Sequence, residues 1–348
     1  MHDRLTGPRN AVRLPFPEPP PIGSVIEVAP GLLWSRLPLP MRLDHVNVWL
    51  VEERDGWTAV DAGLDTPAAR AAWEALERGP LGGRPIRRLV VTHGHVDHIG
   101  LAGWLTARHE AAFQTTRTAW LWGRVGHLNS GQPTSSSALA FLRSHGIDEA
   151  RVAAFGADRG LHAKLFAAQP TSFERIDDGS TVRMGGREWL AMLANGHGDD
   201  HASFVDTAGR VLIAGDQILQ RISPVVGVFS TEPLADPLSE YLGSLPRFTA
   251  LCEDMLVLPS HGLPFYGLHK RVAELAHHHE VRLAKTIEAL KRPTSAADCA
   301  HALFEARTIE SQWLLTLAET LAHLHRLVAL GQARRQQTAD GSILFERT

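Results

Sequence analysis

Two cysteines, Cys252 and Cys299, are all that the 348 residues contain, and they stand far apart in the chain. A disulfide framework is thereby excluded, and a reduced, cytoplasmic setting is the expectation. Tyrosine is as scarce, with only Tyr241 and Tyr266. No apolar run approaches the ~20 residues that a membrane span requires, so no membrane association is expected. An excess of one charge is missing too. The formal net charge of −3 leaves no electrostatic footprint for nucleic acid or an acidic membrane. The opening residues Met1–Pro21 carry arginine and end in PFPEPPP without an apolar segment, so they do not read as a secretory signal.

What the chain does have is length, apolar residues (44%) and histidine, 19 in all, about one residue in eighteen. The length allows a full-sized core, with one large domain and a small appendage. Residues 1–23 read as an extended Pro-rich arm, since proline fixes φ and removes donors. From Ser24 the pattern turns to strands: Ser24–Val28 and Leu32–Leu37 flank a Pro30-Gly31 turn, and Val46–Val51 and Trp57–Val60 flank Asp55-Gly56. Asp65-Thr66-Pro67 opens a helix that Gly79-Pro80 stops. Ile86–Val91 reads as a buried strand and Leu101–His109 as a helix. Residues 118–170 form a helical, lid-like insert split by the polar loop 129–134, and both it and the loop after Asp216 are long enough to shape a pocket. Further strands are expected at Thr181–Met184, Trp189–Leu193, Phe204–Val205, Val211–Ala214 and Met255–Leu258, before a long helix over Leu268–Leu290. The catalytic unit spans 24–293. Beyond it, helices at Ala296–Phe304 and Gln312–Leu330 and a hairpin through Arg334–Phe345 suggest a winged-helix-like module over 294–348.

The chemistry stands at the ends of the short apolar runs. Trp57–Val60 ends at Asp61, and Ile86–Val91 ends at Thr92-His93-Gly94-His95-Val96-Asp97-His98. Trp189–Leu193 leads to His197, Val211–Ala214 to Asp216, and Met255–Leu258 to His261. In an α/β architecture the carboxyl ends of strands converge on one rim, where ligands bind. Five runs that deliver imidazole or carboxylate to that rim point to a metal centre. Neutral imidazoles and carboxylates suit borderline divalent ions. A tight loop can aim His93 and His95 at one ion, completed by His197, and turn Asp97 and His98 with His261 toward a second, with Asp216 between both. Two divalent ions per chain are expected; zinc is preferred, and Mn2+ or Fe2+ stays open because affinity and supply pull differently.

This order of motifs, THGHVDHIG, NGHGDDH, AGDQ and PSHG, resembles the metallo-β-lactamase-fold hydrolase superfamily over roughly residues 24–270. The resemblance implies an αββα four-layer sandwich of the α/β class with the site at one edge of two facing sheets. It also implies a role for Asp61 in supporting the metal loop by hydrogen bonds, and a place for His201 outside the metal sphere, as support or as a helix start. GHGDDH and the appended module are similar to a branch that includes a mitochondrial β-lactamase-like endoribonuclease. A hydroxide held between the two ions would attack the substrate, with Asp97 orienting it.

The same resemblance narrows the substrate. Zinc β-lactamases lack a carboxylate at the Asp216 position, a flavodiiron reductase would carry Glu in place of His95, and glutathione contacts are not evident. Ester, thioester or lactone hydrolysis of a small molecule is the expectation, and cleavage of single-stranded RNA is the alternative. A metabolite-sensing DNA-binding regulator is a third reading, weakened because Gln312–Leu330 offers only Arg326 against Glu319 and no basic stripe. Packing against the catalytic unit or a partner in a homodimer suits the module better. Arg221 is either a plain surface charge or the cation that meets an anionic substrate. His277-His278-His279 read as an exposed helical patch, and Trp49, Trp57, Trp73 and Trp104 as core.

Overall fold

Alternation of side chains along the strands decides how the layers stack. Residues 12–157 and 162–348 are described by the computed structural model, so the first 11 residues of the Pro-rich arm lie outside the described residues. A seven-stranded sheet follows chain order: β1 (Ile26–Ala29), β2 (Leu32–Pro38), β3 (His45–Glu53), β4 (Gly56–Val60), β5 (Ile86–Val90), β6 (Ala112–Thr115) and β7 (Glu174–Arg175). It is an antiparallel meander through β4 and parallel from β4 to β7. A five-stranded sheet runs β12-β11-β10-β9-β8, built from β8 (Thr181–Met184), β9 (Arg187–Ala194), β10 (His201–Asp206), β11 (Val211–Gly215) and β12 (Leu256–Pro259). Only β11 and β12 pair in parallel there.

Three buried clusters separate four layers. On β3, Trp49 and Val51 point to the cluster shared with Trp189, Phe204, Ile213 and Leu258 of the second sheet. Val46, Val48 and Leu50 of the same strand face the opposite cluster, under α1 (Pro67–Arg78), α2 (Val96–Ile99) and α3 (Ala102–His109). The outer face of the second sheet, including Met192, Val205, Leu212 and Val257, packs under helices in a third cluster. That arrangement is the helix–sheet–sheet–helix sandwich, and it leaves both sheets covered on both faces.

The helix expected after Asp65 forms as α1: Thr66 accepts from the Ala69 backbone N–H at 3.1 Å and Pro67 takes the first turn. The insert holds α4 (Arg117–Leu128), α5 (Ser136–Ser144) and α6 (Glu149–Ala157), with the polar loop between the first two. Beyond the second sheet's β11 come α7 (Pro237–Thr249), α8 (Leu268–Ala289), α9 (Ala296–Leu303), α10 (Ala306–Ala329) and the hairpin of β13 (Ala333–Gln337) and β14 (Ile343–Arg347). α10 begins six residues before the expected Gln312, which is itself a non-helical break at φ −139°, ψ 37°. β10 exceeds the expected Phe204–Val205 at both ends, while β6 and β7 carried too few apolar residues to be expected at all. Leu317, Leu321, Leu324 and Leu327 of α10 share one core with Tyr241, Leu245 and Phe248 of α7 and Leu275 of α8. The appended module thus packs against the larger domain.

Candidate metal centre

Every strand-end residue singled out above reaches the same rim. The first sheet delivers Asp61 after β4 and the 92–98 loop after β5; the second delivers His197 after β9, Asp216 after β11 and His261 after β12. Parallel pairing of β11 with β12, which sets Gly215 opposite Pro259, brings Asp216 and His261 side by side. α2 is a single turn, and its first residues put Asp97 and His98 on the rim beside them.

Two donor groups result. His93 Nε2, His95 Nδ1 and His197 Nε2 form a triangle with edges of 2.9, 3.0 and 3.3 Å. Asp97, His98 and His261 form the other group, with His261 Nε2 at 3.4 Å and His98 Nε2 at 3.6 Å from Asp97 Oδ2. Asp216 Oδ2 stands between them, 3.2 Å from His197 Nε2, 3.6 Å from His98 Nε2 and 3.4 Å from His261 Nε2.

Comparisons with known proteins identify the family. The sequence profile of the Metallo-beta-lactamase superfamily matches residues 41–261, well over half of the chain. The chain belongs to that superfamily. A second profile, "Metallo-beta-lactamase-like, C-terminal domain", matches residues 283–348. Among solved structures, a β-lactamase domain protein from Burkholderia ambifaria is 35% identical, with a TM-score of 0.84 over 97% of this chain and 99% of that one. A metallo-β-lactamase family protein from Thermus thermophilus, TTHA1429, is 27% identical, with a TM-score of 0.77 over 92% of this chain and all of its own. The probable metallo-hydrolase YqjP of Bacillus subtilis is 28% identical across 84% of this chain and 91% of its own length.

As a metallo-β-lactamase-superfamily hydrolase, the protein should hold divalent metal on these donors, and their chemistry fits. The ring nitrogens turned away from the rim are engaged by acceptors: His197 Nδ1 with the Val225 carbonyl (2.8 Å), His261 Nδ1 with the His45 carbonyl (2.8 Å), and His98 Nδ1 with Asp61 Oδ2 (2.8 Å). With those nitrogens donating, each Nε2 is the atom left to give a lone pair to a cation, and at His98 and His261 the cation would displace the proton that the neighbouring carboxylates otherwise hold there. His93 Nδ1 lies 2.9 Å from Thr92 Oγ1, whose hydroxyl donates to Asp61. Lone pairs facing one another near 3 Å repel unless a cation lies among them, and a tetrahedral zinc site with Zn–N of about 2.0–2.1 Å needs a similar nitrogen spacing. His98 Nε2 and Asp216 Oδ1 are buried without a hydrogen-bond partner. Such orphaned atoms are costly unless something else satisfies them.

Electrostatics divides the centre in two. Burial, reinforced by neighbouring imidazoles, holds His93 well below its ordinary value and His95 down at about 3, so both rings are neutral at pH 7. Burial also opposes charge on His98 and His261, but the Asp97, Asp61 and Asp216 carboxylates outweigh it at the first and the Asp216 and Asp97 carboxylates at the second. His98 rises well above its ordinary value and His261 to about 10. The carboxylate half therefore demands positive charge, which a divalent cation supplies.

Asp61 touches no donor vertex. Its carboxylate accepts from the Thr92 backbone N–H at 2.8 Å and from His98, and its backbone sits at φ 66°, a left-handed conformation that Asp tolerates better than most residues. His201 opens β10 rather than a helix, because the chain pairs there with Ala194 of β9; its Nε2 accepts from the Asp216 backbone N–H at 3.0 Å. Gly215, at φ 57°, is required beside it, since a Cβ there would lie 2.4 Å from His201 Nε2. Arg221 is exposed and forms no ion pair or hydrogen bond among the described residues, so nothing aims it at the centre. The His277–His279 expectation needs correction. His277 is exposed, but the other two rings are buried, His278 9% and His279 2% exposed, with His279 against His323 of α10. His45 and Asn47 were missed. The Asn47 amide donates to the Pro259 (2.7 Å) and Gly262 (3.0 Å) carbonyls, tying β3 to the loop of His261.

Proposed function

We propose that the protein is a binuclear hydrolase that cleaves an ester, thioester or lactone, with two zinc ions per chain held by His93, His95 and His197 on one side and Asp97, His98 and His261 on the other. The observation that carries this reading is the position of Asp216 Oδ2, within 3.6 Å of a nitrogen from each donor group. Zinc is favoured by the dominance of imidazole among the donors. The ions supply a water that ionises near neutral pH and a Lewis acid for the substrate's carbonyl oxygen.

The chain's own contribution is positioning. Asp97 is the more exposed of the two rim carboxylates, at 18% against 8% for Asp216. Burial works against its charge, yet without metal the charged rings of His98 and His261 hold its carboxyl well below the usual carboxylate range, and a bound cation would take their place. It accepts a hydrogen bond from the attacking water, orients it, and passes the proton toward the departing oxygen or sulfur. Water adds to the acyl carbon, the bond to the leaving group breaks, and the products are a carboxylate and an alcohol or thiol.

Several observations favour this reading over a nucleic-acid substrate. The net charge is −3. Arg326 is turned to Ser239 Oγ (2.7 Å) and Arg334 is paired with Glu346 (2.6 Å), so two of the appended module's cations are already engaged. We assign the catalytic unit to residues 24–293 and the appended one to 294–348.

The test is metal analysis of zinc-repleted protein together with a panel of thioesters, lactones, bis(p-nitrophenyl) phosphate and short single-stranded RNA. Two ions per chain and turnover of the acyl substrates alone are expected, both lost or sharply reduced in Asp216→Ala. Fewer than one ion per chain, or turnover undiminished in that variant, would overturn the assignment. Cleavage of RNA or the phosphodiester in place of the acyl substrates would move it to phosphoryl transfer.

A further inference from the structure

An amphipathic surface helix hides its apolar stripe and shows polar residues. α4 does the reverse. Its exposed residues are Arg117, Leu121, Trp122, Val125 and Leu128, so four of the five are large and apolar. At 3.6 residues per turn these four fall within an arc of about 120°. The opposite face is committed: Gly123 lies against Ile99 and Gln169, and Gly126 against Phe166.

This stripe begins beside the loop that carries His93 and His95. A Cβ placed on Gly94, between His93 and His95, would meet Trp122 Cβ at 2.6 Å, so the indole is packed directly on the loop of the histidine triangle. The Val225 carbonyl holds His197, and three residues later the same loop enters an apolar cleft lined by Phe141, Leu142, Phe155, Val228, Phe229 and Leu314. The neighbourhood of the carboxylate group is polar instead, with His45 bonded to both Asp44 and the Gly262 backbone.

We infer that the α4 stripe is the acyl-chain wall of the substrate site, with Trp122 the specificity-determining residue nearest the reacting carbonyl. The inference rests on the acyl-hydrolase reading above and deepens it: the substrate carries an unbranched, medium-length aliphatic acyl group. Six residues of helix from Trp122 to Leu128 cover about 9 Å, a span that suits such a chain. Four side chains on one helix are far too few for a stable protein interface, which needs some 20–30 residues on each side. Continuity with the His93–His95 loop favours an extension of the reacting molecule over a separate partner.

The experiment uses full-length, zinc-loaded protein and two readouts. Calorimetric titration with acetate, butyrate and octanoate reads binding without turnover, and hydrolysis of acetyl and octanoyl thioesters reads kcat/KM. Full burial of a methylene is worth about fourfold in affinity, so a chain lying along one wall gains roughly twofold for each. Octanoate should therefore bind at least about tenfold more tightly than butyrate. The octanoyl-to-acetyl ratio of kcat/KM should fall by about tenfold in Trp122→Ala and in Leu121→Ser/Val125→Ser, whose exposed sites spare the fold. Equal binding of the three carboxylates, or ratios unchanged in both variants, would overturn the inference while leaving the acyl-hydrolase reading intact. Dimerisation abolished by Leu121→Ser/Val125→Ser, with no chain-length preference, would also overturn it and assign the stripe to a second copy. Chain-length-dependent binding with no thioester, ester or lactone turned over would support the wall and overturn the acyl-hydrolase reading instead.

Discussion

At the residue scale the centre is a set of imidazoles whose tautomers are fixed from behind. Asp61 does most of this for the first sheet, because one buried carboxylate serves Thr92, His98 and, through the Thr92 hydroxyl, His93. Asp61→Asn isolates that role, since Asn tolerates the same left-handed backbone while its neutral amide no longer enforces a proton on His98 Nδ1. Metal affinity measured by chelator competition should fall by about 10–100-fold with the fold retained by circular dichroism. Unchanged affinity would show that Asp61 serves the loop alone. The seven donor residues were legible because His93, His95, Asp97 and His98 crowd into six positions and the other three each follow an apolar run. Their outer partners were not. The carbonyls of Val225 and His45 have no side-chain signature, and only the folded chain brings them to His197 and His261.

Elements show where periodicity informs and where it misleads. α1 announced itself because its cap, first-turn proline and stop all lie in local sequence, whereas β7 has two residues and was invisible. In α8 the run His277-His278-His279 looks polar, yet consecutive helical residues turn by about 100°, so one ring faces water while the next two turn inward, His279 onto His323 of α10. His279 Nδ1 lies 3.3 Å from His323 Nε2, and His323 Nδ1 donates to the Glu319 carbonyl at 2.7 Å. Burial, with the Arg282 guanidinium nearby, pushes His278 and His323 down to about 3 and His279 well below its ordinary value. A folded-state value below the unfolded one means that the unfolded chain takes up protons first. The stability held by each neutral ring is complete above about pH 6.5 and is lost as pH falls toward 3. For His323 the loss at pH 5 is about 2 kcal/mol. Urea denaturation of wild type and His323→Gln between pH 8 and 5 should show the variant losing less stability on acidification. Parallel pH profiles would count against a neutral buried His323.

Over the whole molecule, four layers bring five strand ends to one rim, and α10 of the appended module holds the loop that supports His197 there. The long connection after β11 holds the Val225 carbonyl over His197, and two elements pin it. The Val228 N–H donates to the Ala318 carbonyl of α10 at 3.0 Å, and the buried Arg271 of α8 donates to the Leu219 (2.6 Å) and Ile222 (2.8 Å) carbonyls. None of this was legible in sequence, since a core arginine in a long helix reads as a surface charge until the loop it satisfies is known. Arg271→Met keeps the aliphatic stem and leaves Glu274 without its partner, and it orphans both carbonyls at about 1–3 kcal/mol for each buried acceptor left unmet. Arg271→Lys retains the charge but lacks the fork that spans two acceptors. If the pinned loop sets the tautomer of His197, both variants should lose zinc affinity by about tenfold or more, and Lys should lose the smaller share of thermal stability. A fall in melting temperature with metal affinity untouched would confine Arg271 to the core and detach the pinning of this loop by α8 from the chemistry at the rim.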